Sequence, residues 1–175
     1  VFQKATTPPC APQHGIETRG RNGMEACTNS SLLRYFCPPK WNSSAAHAGC
    51  QLCPQFWKLL GDQCYWLSKE KRTWIQSKKD CENQDSQLVV IRNKVEKEHI
   101  MEITAGSKQL VWIVLKVSEN TWKWVDNSSF NDTLFDALPK LEKGCGALKN
   151  MTLEDDSCDG EHRWACQKKP FHLLP

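Results

Sequence analysis

The sequence predicts an α+β domain preceded by an extended stalk. Two helix-period segments come first in the folded part, and short strands follow them. The N-terminal third differs from the rest in composition. Residues 1–52 hold Pro8, Pro9, Pro12, Pro38 and Pro39, and only seven Leu, Ile, Val or Phe. Such a segment buries too little apolar area to offset its ordering entropy. It also carries the charge excess. Lys4, Arg19, Arg21, Arg34 and Lys40 face only Glu17 and Glu25, whereas the remainder is neutral. Residues 1–52 therefore read as stalk or linker, 53–169 as the domain and 170–175 as a C-terminal tail.

Each element has a local cause. Thr73 and Gln76 stand at capping-box spacing and open a helix over 73–84. Its buried face carries Trp74, Ser77 and Cys81. Leu88 to Ile91 is a short apolar run that reads as a strand. Asn93 caps a second helix, with Glu96 three residues on and Val95, Ile100 and Ile103 as apolar positions; Gly106 ends it. Val111 to Val117 is a β-branched run. Thr121 to Val125 alternates, with Trp122 and Trp124 on one face, and Ser118–Asn120 between them reads as a hairpin loop. From Asp126 to Gly144 no periodicity survives, which inside a compact domain marks a functional loop. Strands return near Cys145–Leu148, Met151–Leu153 and Arg163–Gln167. The tryptophans Trp74, Trp112, Trp122, Trp124 and Trp164 read as core rather than as a ligand platform.

Ten cysteines and five sequons (Asn29, Asn42, Asn127, Asn131, Asn150) point together to an oxidising, extracellular compartment. The net charge of +3 is too mild to imply nucleic acid. No apolar run approaches the length of a membrane span. The chain begins at Val1 and opens without a signal-peptide core, which reads as a fragment or processed form. Cys50-x-x-Cys53 has zinc-ligand spacing, but no second pair closes a site and the five histidines are scattered. No nucleophile elbow, zinc-protease motif, P-loop or dinucleotide fingerprint occurs, so an enzyme is not expected.

Six cysteines lie in the folded part: Cys53, Cys64, Cys81, Cys145, Cys158 and Cys166. They allow fifteen pairings, and spacing does not choose among them. Three are physically attractive. Cys53 with Cys64 would clip a hairpin around Leu60–Asp62. Cys81 with Cys166 would close a long loop, and Cys145 with Cys158 would staple the last strands.

The order Cys64-Tyr65-Trp66, Trp74, Cys81, Leu88–Ile91, Trp112-Ile113-Val114-Leu115, Trp122–Asp126, Cys145, Cys158 and Trp164-Ala165-Cys166 resembles the C-type lectin-like domain. It is most similar to natural killer cell lectin-like receptors of subfamilies B and F. The resemblance covers roughly residues 53–169. It implies two helices, two small antiparallel sheets and a long loop, with bridges Cys53–Cys64, Cys81–Cys166 and Cys145–Cys158. It also implies a type II plasma-membrane protein whose anchor is missing from this chain. Val114 stands where the family carries glycine, which suggests a local shift of the backbone or of its partner strand.

Sugar-binding members of that family hold Ca²⁺ through a Glu-Pro-Asn type tripeptide and a Trp-Asn-Asp type tripeptide. Here those positions read Leu138-Pro139-Lys140 and Leu153-Glu154-Asp155. Leucine brings no oxygen and lysine brings a positive charge, so half of the oxygen cage is gone. The expectation is therefore a receptor ectodomain that recognises a cell-surface protein, lectin-like or class I-like, without Ca²⁺ or any other cofactor, on lymphocytes such as natural killer cells. The alternatives are a Ca²⁺-dependent lectin, or a lectin-like ligand of such a receptor. The resemblance places the ligand face on the long-loop side: Lys116, Glu119, Lys140, Lys143, Lys149, Glu154, Asp155, Asp156 and Glu161. The acidic run Glu154–Glu161 also has a plainer reading as a solvated loop. Glycans on Asn127, Asn131 and Asn150 would lie near that face. Cys10, Cys27, Cys37 and Cys50 remain as stalk or interchain candidates, and a disulfide-linked homodimer is expected from them.

Overall fold

In the computed structural model, the described residues are 50–104, 109–118, 121–126, 128, 130–135, 144–150 and 152–173. They fall into two units. Cys50–Leu52 and Phe171–Leu173 belong to one, and Cys53–Pro170 forms the other.

In the first unit, β1 (Cys50–Leu52) pairs antiparallel with β10 (Phe171–Leu173), with Gln51 opposite His172. Residues 50–52 and 171–173, assigned to the stalk and the tail on composition, are therefore strands. Strands of three residues, of which only Leu173 is buried, leave no period to read. Cys50 is disulfide-bonded, and Cys10, Cys27 and Cys37 lie outside the described residues.

The second unit begins with a hairpin, β2 (Lys58–Leu60) and β3 (Gln63–Leu67), joined by the Gly61–Asp62 turn. Helix α1 (Trp74–Asn83) starts at Thr73, as the capping box predicts. Gln76 N–H donates to Thr73 Oγ1, and Thr73 N–H donates to Gln76 Oε1, both at 3.3 Å. The buried positions are Trp74, Ser77 and Cys81. Truncating Thr73→Ala removes one half of this reciprocal cap and is expected to lower stability by about 1 kcal/mol in urea denaturation.

Strand β4 is only Gln87–Leu88, shorter than the apolar run predicts. Leu88, Val89, Val90 and Ile91 are nevertheless all fully buried. Their backbone is satisfied outside a regular ladder. Val89 N–H donates to Ala165 O, Val114 N–H to Val89 O, and Val90 N–H to Gln167 Oε1. Helix α2 (Lys94–Thr104) is capped by Asn93, whose Oδ1 accepts from Glu96 N–H at 2.9 Å. Ile100 is buried and Ile103 packs against the core, but Val95 is 58% exposed, contrary to the apolar stripe expected for it. It sits in the first turn, where the helix face has not yet met the core.

The remaining strands are β5 (Val111–Ser118), β6 (Thr121–Trp124), β7 (Gly144–Lys149), β8 (Thr152–Ser157) and β9 (Arg163–Lys168). Among the described residues they join β2, β3 and β4 in one sheet, ordered β2-β3-β9-β5-β7-β8, with β4 on β9 and β6 on β5. Most pairs are antiparallel. The exception is β5 with β9, which run parallel through Val111↔Arg163 and Trp112↔Trp164. That short parallel contact fuses what the resemblance gives as two small sheets.

Val114 marks an irregularity. The β5–β7 register shifts between Trp112↔Ala147 and Lys116↔Cys145, so β5 carries two extra residues in the stretch that contains Val114. Opposite it, Gly146 passes so close to Leu115 that an added Cβ would stand 2.8 Å from the Leu115 Cβ. The close approach has moved to the partner strand. The core gathers Trp74, Trp112, Trp122, Trp124 and Trp164, all at most 7% exposed, between these layers.

Candidate ligand-binding face

Three disulfides fix this unit: Cys53–Cys64, Cys81–Cys166 and Cys145–Cys158. The last joins β7 to the turn beyond β8 and so determines where the acidic residues stand.

The described residues among those expected at the ligand face stand on the β5–β6 and β7–β8 hairpins and in the turn beyond β8. Lys116 is exposed on β5, opposite Lys123 of β6. Lys149 and Asn150 are exposed at the β7–β8 turn, where Asn150 adopts φ +45°. Thr152 Oγ1 donates to Lys149 O and closes that turn. Glu119, Lys140, Lys143 and Asn127 lie outside the described residues, as do the stalk sequons Asn29 and Asn42.

The acidic residues are engaged one by one in local structure. Glu154 Oε1 lies 3.2 Å from Thr152 Oγ1, whose proton goes to Lys149 O. Asp155 Oδ1 accepts from Gly144 N–H at 2.8 Å, so it holds the start of β7. Asp156 Oδ1 accepts from Ser157 N–H at 2.8 Å, and its Oδ2 lies 2.7 Å from His162 Nε2. The His162 ring packs edge-on to Trp112, with centroids 4.6 Å apart. Glu161 is exposed.

A Ca²⁺ ion, which the fold family uses for sugar binding, needs six to eight convergent oxygens. Among the described residues no three His, Cys, Asp or Glu side chains converge on one point. Asp155, one of the two acids left at the Trp-Asn-Asp type position, already spends an oxygen on Gly144. Among the described residues no such oxygen set is assembled, and Leu138–Lys140 lie outside them.

Part of the aperiodic stretch is well anchored. Phe130 and Phe135 stack 5.7 Å apart, and Phe130 also meets Trp124 at 5.8 Å. Lys97 of α2 donates to Leu134 O at 2.6 Å and stands over the Phe135 ring. Asn131 is exposed, and its Oδ1 caps a 3₁₀ turn at 132–134 by accepting from Thr133 N–H and Oγ1. The turn uses Oδ1, so the Nδ2 to which an N-glycan attaches takes no part in the cap.

Beside it, Arg92 Nη2 pairs with Asp126 Oδ2 at 2.6 Å. Burial disfavours the charged Asp126, but hydrogen bonds from Ser128 and Arg92 outweigh it and hold the carboxyl below its usual value. A depressed folded value contributes stability that is complete above the unfolded-state pKa, about 3.9, and is lost as pH falls through the folded one. Carboxyl NMR titration of Asp126 should therefore give a midpoint below 3.9, and Arg92→Ala should move it upward. Phe130 lies in the long-loop stretch expected at the ligand face; Arg92 and Lys97, which hold that stretch, are not part of the expectation. The one sequence signal for this cluster is Phe130 and Phe135 five residues apart.

Residues 70–168 match the family described as the lectin C-type domain, more than half of the chain. The chain is 32% identical over 124 residues to the mouse (Mus musculus) killer cell lectin-like receptor subfamily B member 1F, covering 69% of this chain and 57% of that one. It is 28% identical over 120 residues to the rat (Rattus norvegicus) subfamily B member 1B allele C, covering 67% and 54%. It thus spans little more than half the length of these two receptors. Among solved structures, the carbohydrate-recognition domain of the mouse scavenger receptor C-type lectin superposes with a TM-score of 0.58 and 30% identity, over 67% of this chain and 96% of that one. With the disulfides, the two helices and the mixed sheet in place, the chain belongs to the C-type lectin domain family.

Proposed function

We propose that this domain is the ligand-binding ectodomain of a membrane-anchored lymphocyte receptor, and that it recognises a protein on another cell without Ca²⁺. It acts by binding, not catalysis. The observation that carries this reading is the donor set. By the sequence resemblance Leu138 and Lys140, outside the described residues, correspond to one half of the family's cation position, and Asp155 in the other half is hydrogen-bonded to Gly144. Likeness to the subfamily B receptors supports a receptor role. A disulfide-linked dimer, which raises avidity through effective concentration, would run through Cys10, Cys27 or Cys37, because Cys50 is already disulfide-bonded within the chain. Attachment to the plasma membrane is proposed on the same likeness, since among the described residues no helix is long and apolar enough to cross a membrane.

The direct check on the cation is a thermal unfolding pair, in millimolar Ca²⁺ and in EGTA. Anything that binds the folded state raises its midpoint by mass action. The two midpoints should coincide. A Ca²⁺-dependent rise of several degrees, reversed by EGTA, would contradict the reading.

A second reading, a Ca²⁺-dependent lectin, is favoured by the superposition on a carbohydrate-recognition domain. It shares the same test with the opposite outcome.

A further inference from the structure

We propose that the Cys145–Cys158 bond is a reducible clamp on the Ser157–His162 turn, opened by a dithiol reductant while the domain stays folded. Cys81 and Cys166 are both fully buried, so their bridge is out of reach of an external thiol. Cys145 is fully buried as well, but Cys158 is half-buried, in the turn beyond β8. The residue next to its sulfur is a glycine. An added Cβ at Gly144 would stand 3.9 Å from Cys158 Sγ. Gly144 has φ +105°, a conformation that other residues rarely adopt, so this position itself brings no side chain against the sulfur.

The fold does not depend on this bridge alone. Strands β7 and β8 pair through six positions, from Gly144↔Ser157 to Lys149↔Thr152. Trp74 N–H donates to Cys158 O, and Arg72 and His162 exchange backbone hydrogen bonds. What the bridge adds is the tie between Cys158 and β7, and hence the setting of the turn that carries Asp159 and Glu161.

The reaction balances as ordinary exchange. A thiolate of the dithiol attacks Cys158 Sγ, and Cys145 leaves as thiolate and takes up a proton. The second thiol of the reductant then attacks the mixed disulfide and releases Cys158, and the reductant ends as its own disulfide. Asp155, Asp156, Asp159 and Glu161 all lie within three residues of Cys158 along the chain. Their negative charge favours an uncharged dithiol, or a protein dithiol with a basic rim, over the anionic monothiol glutathione. The consequence for recognition rests on the ligand face proposed above; the reduction chemistry does not.

The test is a time course with dithiothreitol at neutral pH, quenched by alkylation and read by mass spectrometry. Cys145 and Cys158 should be labelled at least about tenfold faster than Cys81 and Cys166. Tryptophan fluorescence should stay native, amide exchange in 158–161 should rise, and glutathione at equal thiol concentration should be slower. Labelling of Cys145 only in step with Cys81 and Cys166, or with loss of the native fluorescence, would overturn the proposal. The double variant Cys145→Ser/Cys158→Ser should fold with native fluorescence and the same raised exchange; failure to fold would also overturn it. Selective reduction that left ligand binding unchanged would support the clamp and contradict the place given to this turn in the ligand face.

Discussion

Replacing Cys81 and Cys166 together by alanine is expected to lower stability by about 4 kcal/mol and the melting temperature by on the order of 20 °C. The bridge spans a sequence separation of 85, against 11 and 13 for the other two. Loop-closure entropy grows with the logarithm of loop length, so the shorter bridges contribute about 3 kcal/mol each on the same scale. Both sulfurs are fully buried, so the double variant also leaves a small void between α1 and β9. A domain of this size has about 5–15 kcal/mol in total. The variant therefore stands near the edge of folding at 37 °C. Calorimetry of the three double variants side by side checks the order, with the Cys81–Cys166 pair costing most. Equal losses across the three would show that strain or residual structure, not chain entropy, sets their contributions.

Trp112→Ala is expected to cost 3–5 kcal/mol, roughly as much as any single truncation in the domain. Trp112 is fully buried at the point where β5 meets both β7 and β9, opposite Ala147 and Trp164. Its indole N–H donates to Arg72 O at 2.9 Å, and its ring carries His162. Truncation empties a large volume, leaves the Arg72 carbonyl without this donor and removes the wall behind His162. Trp112→Phe keeps most of the volume and loses the hydrogen bond, so about 2 kcal/mol is expected. Denaturant midpoints order the variants. The alanine variant should also raise amide exchange at His162 and in the turn before it, because that turn rests on the indole.

What could be read in the sequence was mostly local. Thr73 and Gln76 announce α1 because a capping box is a three-residue pattern. Trp122 and Trp124 announce β6 because a strand alternates. Leu88–Ile91 is legible as buried but not as mostly irregular, since its hydrogen bonds run to Ala165, Gln167 and Val114, far along the chain. The β1–β10 pair joins residues about 120 positions apart in strands too short to show a period. At the candidate face the residue types were legible, while their partners were not. Asp155 looks like a cation ligand until the β7–β8 register brings the Gly144 amide to it. Arg92 and Asp126 pair across 34 residues through the fold alone. The family likeness supplied the order of tryptophans and cysteines and, through Val114 at the glycine position, an expected local shift, but not its form, a register shift between Trp112 and Lys116.

Recognition of a protein without calcium is tested most directly by binding the glycosylated ectodomain, as a tetramer, to cells that each display one candidate surface protein, lectin-like or class I-like. Each cell is measured with and without EGTA and after enzymatic removal of its glycans. Saturable binding to one displayed protein, unchanged by EGTA and by deglycosylation, is the expected result. Binding to all cells that vanishes with EGTA or with the glycans would contradict it and make the domain a calcium-dependent lectin.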